Sequence, residues 1–388
     1  MSRYFSIPAA VATAVAFASA AHAQVVVSDC GQALSGPGYL VADLDCSGHV
    51  GAAVVLVEST TFDLAGNTIF GGNGPGVSCE QNCQIVSSAP GGTIAGATDS
   101  GIDGIGVARR VDVAVQSVTI RDCGDGIHTK GVVELTGATI VDNDGVGVTA
   151  ERRFGQGVNL GGGGIRARSS TVSRNGGGGL LTEQWVRLSG SDVSDNGGVG
   201  VETVMFGTGL GSVRARESTI DRNADIGIEA ASRISIRGGS VSGNGGTGVF
   251  CGPGDDGRCS AVTRNTAIDD NGGYGIRARG NLASSSAVLR GVSVSRNALT
   301  GVYADGRKRD LFEYGLIKAR DATVVDNGAA GLRARGGKVV AKGSTVTGNA
   351  LEATCSPSGI SPCLDIDGPD KAVVNDTVCN TPAALCSP

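Results

Sequence analysis

Aromatic residues, histidines and long apolar runs are all scarce in this chain of 388 residues. Phe, Trp and Tyr make up 4% of the sequence, whereas glycine occurs 65 times. We therefore expect many turns and not a conventional sandwich packed with large side chains. No stretch beyond the N-terminus is apolar and long enough to cross a bilayer. With 32 basic and 37 acidic residues there is also no basic excess, which argues against general nucleic-acid binding.

The first 23 residues are typical of a secretory signal peptide. Arg3 gives a positive start, residues 7–21 form a short apolar run, and Ala21, His22 and Ala23 make a small-x-small cleavage site. The mature chain would carry a net charge of −6 and keep only two histidines, His49 and His128. We expect a secreted or periplasmic protein without a membrane span.

All eleven cysteines follow this segment, and export favours structural disulfides. Their spacing suggests local pairs, although sequence cannot fix the connectivity: Cys30 with Cys46, Cys79 with Cys83, Cys251 with Cys259, Cys355 with Cys363, and Cys379 with Cys386. Cys123 remains. It occupies a position that elsewhere in the repeat is asparagine, so we interpret it as a stacked turn residue and not as a reactive thiol.

One short phrase recurs along most of the chain. It reads STIDRNADIGI at 218–228, GSVSGNGGTGV at 239–249 and ATVVDNGAAGL at 322–332, and its copies are 20 to 32 residues apart. Recurrence in this range is typical of a solenoid, in which stacked coils bury a common core. The asparagine of the phrase is Asn143, Asn175, Asn196, Asn223, Asn244, Asn271, Asn297, Asn327 and Asn349.

Each repeat holds three short strand-like pieces, so each strand would pair in parallel with its equivalents about 4.8 Å away. The position before the asparagine turn is always Val or Ile, as expected of an interior column of strand residues. Asparagine suits a corner because it tolerates the left-handed conformation, and we expect its amide to donate and accept in a ladder along the stack. The column is Ile69, Ile94, Ile120, Ile140, Val172, Val193, Ile220, Val241, Ile268, Val294, Val324 and Val346.

The asparagine corner and the three-strand period resemble the right-handed parallel β-helix family, the pectate-lyase-like fold, over about residues 40–350. The resemblance implies an all-β, single-stranded right-handed parallel β-helix of about 12 coils with terminal caps, roughly 55 Å long. We divide the chain into a signal peptide (1–23), an N-terminal cap (24–50), the β-helix (51–350) and a Cys-rich C-terminal cap (351–388). We expect a monomer.

Basic residues fill two outward positions of one strand in coil after coil, although the protein is acidic. Because like charges one strand apart repel, such a stripe costs stability unless an anion occupies it. Arg's planar fork suits carboxylates and sulfates, and a rod suits a linear polymer. The alternative is a solvated face whose arginines pair with loop acids. The candidate binding residues are Arg166, Arg168, Arg187, Arg214, Arg216, Arg237, Arg264, Arg290, Lys318, Arg320 and Lys342.

Long loops at one corner precede these strands, at 151–164, 204–212, 252–259, 280–286 and 305–316. In the enzymes that this family resembles, such loops border the substrate cleft. Aromatic side chains lie in or beside them, and these either stack on sugars or, more commonly, anchor the loops. They are Phe154, Trp185, Phe206, Phe250, Tyr303, Phe312 and Tyr314.

Catalytic residues are not identified by any motif. The segment from Arg121 to Lys130 is the densest ionisable cluster, but Asp and Gly there are ordinary turn residues. Lysine, arginine and tyrosine at 303–320 include the residue types of uronate lyases, and the acids Glu134, Glu217, Asp305, Asp310 and Asp321 show no spacing that singles out a hydrolytic pair. Asp-Pro-His-Asp and Gly-His-Gly segments of active relatives are absent. No cofactor is evident, and no motif supports calcium.

We predict an exported β-helix protein whose basic strand face binds an acidic polysaccharide, with lyase or epimerase activity on a uronate polymer as an open question. A non-catalytic surface or structural solenoid is the alternative. A further alternative is a hydroxyl-rich face that binds ice or a crystalline polymer. Its hydroxyls are Thr171, Ser173, Ser240, Ser242, Ser293, Ser295, Thr345 and Thr347, and Arg121, Val141, Asp221 and Asp269 interrupt them.

Overall fold

The computed structural model describes residues 24–104, 110–151, 154–155, 158–159, 163–204, 211–252, 259–280, 284–306, 315–335, 338–350, 366–367, 371–375 and 378–379. The predicted signal peptide and most of the predicted C-terminal cap lie outside these residues. The described chain is built from β-strands and turns, without a helix. It therefore contains no helix that could span a membrane.

The strands stack into three parallel columns, and successive coils of the chain visit the columns in turn. The first, the basic column, carries the predicted basic residues. Its strands are Val25–Val27, Gly38–Leu40, Thr60–Asp63, Cys83–Val86, Val113–Gln116, Val132–Thr136, Gly164–Arg168, Trp185–Ser189, Ser212–Asp221, Arg233–Ser242, Cys259–Arg264, Ser285–Arg290, Gly315–Arg320, Lys338–Lys342 and Lys371–Asn375.

The second, the ladder column, precedes the asparagines. It takes the second halves of Ser212–Asp221 and Arg233–Ser242, which run through both columns. Its other strands are Leu44–Asp45, Thr68–Phe70, Thr93–Ala95, Thr119–Arg121, Thr139–Val141, Thr171–Ser173, Asp192–Ser194, Ala267–Asp269, Ser293–Ser295, Thr323–Val325, Thr345–Thr347 and Val378–Cys379.

The third column is a separate sheet of 14 strands. They are Gln32–Leu34, Val54–Leu56, Val77–Cys79, Ser100–Gly104, Asp125–Thr129, Val148–Ala150, Leu180–Thr182, Val201–Thr203, Ile228–Ala230, Val249–Cys251, Ile276–Gly280, Val302–Gly306, Leu332–Arg335 and Ile366–Asp367. A short antiparallel hairpin joins Phe154–Gly155 to Val158–Asn159. The strands at 32–34, 38–40 and 44–45 pair with those of the next coil, so the columns begin within the predicted N-terminal cap. The domain boundaries themselves stay predictions.

The predicted aliphatic column forms the centre of the core. Its residues pair in register from coil to coil, as in Ile120 with Ile140 and Val294 with Val324, and each is at most 1% exposed. Each of the twelve coils predicted from the sequence contributes one consecutive strand to the ladder column. The column has one further strand at each end. Because a single coil has no partner for its apolar face, this burial is gained only by stacking.

The nine asparagines form one continuous ladder inside the turn that follows the ladder column. Each side-chain Nδ2 donates to the Oδ1 of the next asparagine over 2.8–3.0 Å, from Asn143 to Asn349. Each Oδ1 also accepts the backbone N–H of the asparagine below, as in Asn223 to Asn244 at 3.0 Å. The predicted ladder is confirmed, and it satisfies amides that are buried to 8% exposure or less.

The left-handed residue is the one before each asparagine, so the corner does not use the tolerance of asparagine for this conformation. Asp142, Arg174, Asp195 and Arg222 have φ values of 54° to 57°, and no ladder asparagine has a positive φ. The physical reason is that the turn must point the amide inward to reach its neighbours. The preceding residue takes the backbone reversal and points its own side chain to solvent.

Three of the expected disulfides are present: Cys30 with Cys46, Cys79 with Cys83, and Cys251 with Cys259. Disulfides of this kind are typical of proteins in oxidising compartments. The predicted pairs at 355–363 and 379–386 involve side chains outside the described residues. Cys123 is a free, buried thiol, and burial raises its pKa to about 11. Its backbone N–H donates to Asn143 Oδ1 at 3.1 Å, so it occupies the rung below the ladder, as expected.

Candidate functional site: a basic face with two clefts

Rows of side chains project from the outer face of the basic column, because successive residues of a strand point to opposite faces, and two of these rows hold the predicted basic residues. Register pairing places the predicted basic residues in these rows. The first row is Arg168, Ser189, Arg216, Arg237, Arg264, Arg290, Arg320 and Lys342. The second row contains Glu134, Arg166, Arg187, Arg214, Ser235, Val262, Val288 and Lys318.

The first row is basic without interruption for six consecutive coils, from Arg216 to Lys342. Each of its residues is followed by a left-handed corner, which is often glycine, as at Gly238 with φ 70° and Gly291 with φ 57°. The corner turns the next side chain away from the row, so most of the row has no adjacent acid. Glu217 and Asp321 are the acidic corner residues.

Most of the predicted basic residues have no acidic partner among the described side chains. Arg166 pairs with Glu134 at 2.7 Å, and Arg320 lies 3.4 Å from Asp321. The other nine predicted residues form no ion pair within the part of the chain that the structure describes. Most of the long-loop acids that could neutralise the stripe, such as Asp255, Asp256 and Asp310, lie outside the described residues, so this alternative stays open.

Two clefts open on this face and share Trp185, the only tryptophan of the chain. The Glu134 cleft has a volume of about 620 Å³, and its charged residues are Arg110, Asp112, Glu134 and Arg166. Arg110 Nε lies 2.8 Å from Asp112 Oδ1, so together with the Arg166–Glu134 pair the cleft is electrically balanced. The Arg214 cleft measures about 510 Å³ and is lined by three arginines, Arg187, Arg214 and Arg233, without a carboxylate among its described lining residues.

Trp185 lies between the two clefts and contacts one arginine of each. The Cζ atom of Arg187 lies 4.8 Å from the centre of its ring, and that of Arg166 lies 5.9 Å away. The ring packs on Gly164, where a Cβ atom would come within 2.3 Å of Trp185 Cε2. Glycine is required at 164 because the ring occupies the space of a side chain.

Sequence reasoning missed the role of Arg233 in this site. Arg233 lies in a third outward position of the strands, in register with Ser212 and Ser260 of the coils on either side. Arg233 gave no periodic signal, because the residue type in its row changes from coil to coil, as in Trp185, Ser212, Arg233 and Leu316. The sequence marks Trp185 only as an aromatic residue beside a strand of the basic column.

Other predicted candidates are not brought to this face. His128 lies in the third column, where its Nε2 is 3.2 Å from Glu151 Oε1. Asp125 accepts the backbone N–H of Val146 at 2.7 Å and so has a turn role. Asp305 is buried in the third column at 2% exposure. Asp310 and most of the long-loop residues, including those at 307–314, lie outside the described residues. Where side chains are described, no group of three or more His, Cys, Asp or Glu residues could hold a metal ion.

The third column also carries a carboxylate pair that the sequence did not suggest. Glu202 and Glu229 are in register on adjacent strands. Burial raises the pKa of Glu229, and the negative charges of Glu202 and Asp225 raise it further. Burial likewise raises the pKa of Glu202.

The hydroxyl-rich face lies on the outside of the ladder column, but much of it is used internally. Ser240 Oγ donates to Asp221 Oδ2 at 2.9 Å, and Ser295 Oγ donates to Asp269 Oδ1 at 2.8 Å. Ser173 is 3% exposed. Serines that already donate to a carboxylate, or that are covered, offer little to an external lattice.

The stacked, in-register columns have the fold of a right-handed parallel β-helix. Residues 203–364 match the family described as right handed beta helix region, and the same three columns continue in register through the earlier coils. The resemblance to right-handed parallel β-helix proteins is confirmed. No curated protein matches the sequence.

Similar solved structures include several β-helix enzymes. The periplasmic alginate epimerase AlgG is 13% identical, with a TM-score of 0.40, and the match covers 92% of this chain and 77% of that one. The A-module of mannuronan C-5 epimerase AlgE6 from Azotobacter vinelandii is 16% identical, with a TM-score of 0.40 and coverage of 92% and 89%. Pectate lyase Pel9A is 14% identical, with a TM-score of 0.29 and coverage of 88% and 75%. Similarity this low carries over no activity.

Proposed function

We propose that this chain is an exported protein that binds an acidic polysaccharide along the outer face of the basic column. The observation that carries the proposal is the first row, where Arg216, Arg237 and Arg264 stand on successive coils without an ion pair among the described residues. Like charges directly opposite each other on neighbouring strands destabilise a sheet. A bound polyanion neutralises these charges and removes this cost. The relief of repulsion therefore contributes to the binding free energy.

The shape of the row supports a linear partner. Strands of the column are about 4.8 Å apart, so the six basic residues from Arg216 to Lys342 span roughly 24 Å along the rod. A compact anion would contact two or three of them, whereas an extended polymer with regularly spaced anions contacts all. The guanidinium groups are exposed and present their planar donors to carboxylate or sulfate groups.

Charge reversal of Arg216, Arg237 and Arg264 to Glu tests the proposal. Binding of the purified protein to alginate, pectate and glycosaminoglycans would be measured by calorimetry at two salt concentrations. We expect the triple variant to lose more than tenfold in affinity for the polymer that the wild type binds, and the wild-type affinity to fall with added salt. Arg174→Gln is the matched control, because Arg174 is an exposed arginine on a different corner. Retention of full affinity by the triple variant would instead support the non-catalytic structural solenoid.

Cleavage or epimerisation is a separate question that the same polymers answer. Incubation with the bound polymer, followed by detection of unsaturated ends or of a changed uronate composition, would assign lyase or epimerase activity. The balanced Glu134 cleft is the region to mutate if such activity is found.

A further inference from the structure

The Arg214 cleft differs from the rest of the basic face in its donor set. Arg187, Arg214 and Arg233 come from three successive coils, and Arg187 pairs in register with Arg214. Six serines also line the cleft: Ser212, Ser232, Ser235, Ser260, Ser284 and Ser286. Every charged group that the structure describes in this cleft is therefore a cation, and the remaining polar side chains are hydroxyls.

The cleft is also preorganised. Arg187 stacks on the Trp185 indole, which is fixed against Gly164. Stacking holds the plane of the guanidinium and leaves its N–H edge for a ligand, so less side-chain entropy is lost on binding. Ser286 Oγ donates to Ser260 Oγ at 3.1 Å, which orders the hydroxyl side of the cleft.

The cleft offers more hydrogen-bond donors than a single carboxylate group can use. A carboxylate is planar and is satisfied by one guanidinium through two parallel hydrogen bonds. Three guanidiniums around one cavity, with hydroxyl donors between them, suit a group with three acceptor oxygens that point in different directions. Sulfate and phosphate esters have this tetrahedral arrangement.

We propose that the Arg214 cleft binds a tetrahedral oxyanion ester, a sulfate or a phosphate, carried by the polysaccharide. The inference rests on the proposed function and narrows it: the basic row holds any regularly charged polymer, while the cleft selects polymers that bear ester oxyanions. Trp185 acts as a positioning residue for Arg187.

The emission of Trp185 reports on the cleft directly, because the chain has no other tryptophan. Full-length protein would be titrated with dextran sulfate, dextran phosphate and carboxymethyl dextran of matched charge density. We expect half-maximal change at about tenfold lower concentration for one of the two ester polymers than for carboxymethyl dextran. The more effective ester identifies the anion as sulfate or phosphate.

Variants separate this inference from the proposed function. Arg233→Gln and Arg233→Lys should both abolish the tenfold preference, since lysine keeps the charge but loses the planar fork. Arg290→Gln, in the first row outside the cleft, should weaken the binding of all three polymers by the same factor and keep the preference for the ester. If carboxymethyl dextran gave the same half-maximal concentration as the ester polymers, the cleft inference would be overturned and the proposed function would stand. Failure of all three polymers to bind would overturn both.

Discussion

Arg174 and Asp142 lie on successive coils and form a two-point ion pair, with Nε 2.8 Å from Oδ1 and Nη2 2.8 Å from Oδ2. The same arrangement joins Arg222 to Asp195 and Arg296 to Asp270. Arg237 and Arg264 are also one coil apart, yet each faces another cation. The same fold therefore neutralises these arginines of one corner, whereas Arg237 and Arg264 of the basic column are exposed and form no ion pair with a described residue.

This contrast predicts opposite effects of the same substitution at two arginines. Arg264→Gln removes repulsion from Arg237 and Arg290, so we expect the free protein to gain a few tenths of a kcal/mol at low salt. Arg174→Gln breaks an exposed ion pair and should lose a similar amount. Urea unfolding at low and high salt measures both effects, which salt should diminish. A loss of stability in Arg264→Gln would mean that the row is compensated by groups not yet assigned.

The arginine rows and the asparagine ladder could be predicted from the sequence because both are periodic. Val241, Asn244 and Arg237 keep fixed offsets within each coil, so aligning the coils aligns the columns. The pairing of Arg174 with Asp142 was not predictable in this way, because it depends on which residue of the turn takes the left-handed conformation. The cleft around Trp185 depends on the packing of single, non-repeated residues such as Gly164 and Arg233, and periodicity gives no information about these.

Replacement of Cys123 by asparagine is expected to stabilise the protein. It stands one coil below Asn143, whose Oδ1 already accepts the Cys123 backbone N–H. Cys123→Asn would add a rung by donating its Nδ2 to that same oxygen, which we expect to stabilise the protein by about 0.5–1.5 kcal/mol. The matched Cys123→Ala variant lacks the donor and should be no more stable than wild type. Denaturant unfolding compares the three, and a lower midpoint for Cys123→Asn than for Cys123→Ala would contradict the ladder account.

The carboxylate pair of the third column predicts a pH dependence of stability. The pKa of Glu229 is raised above its ordinary value of 4.5, so the folded state prefers the protonated form. Its cost is small at pH 4, where the group is mostly protonated in both folded and unfolded chains, and it grows as the pH rises from 4.5 through the raised pKa. Glu229→Gln should thus stabilise the protein by about 0.5–1 kcal/mol at pH 8 and have little effect at pH 4. Glu217→Gln, an exposed acid beside the basic row, is the control. An equal gain from both variants, or a gain for Glu229→Gln at pH 4 alone, would exclude repulsion within the pair as the cause.

Gly164 tests whether the position of Trp185 is set by close packing. A Cβ at 164 would meet the indole at 2.3 Å, and the ring cannot yield without leaving Arg187. We expect Gly164→Ala to destabilise the protein by about 1–3 kcal/mol, the usual cost of overpacking. The emission of Trp185 should change in the folded state, because the ring loses its contact with the guanidinium. Gly48→Ala is the matched control, since Gly48 has no atom within 4 Å of the added methyl and should change stability by less than about 0.5 kcal/mol. Wild-type emission and stability in Gly164→Ala would show that Trp185 moves freely and does not fix Arg187.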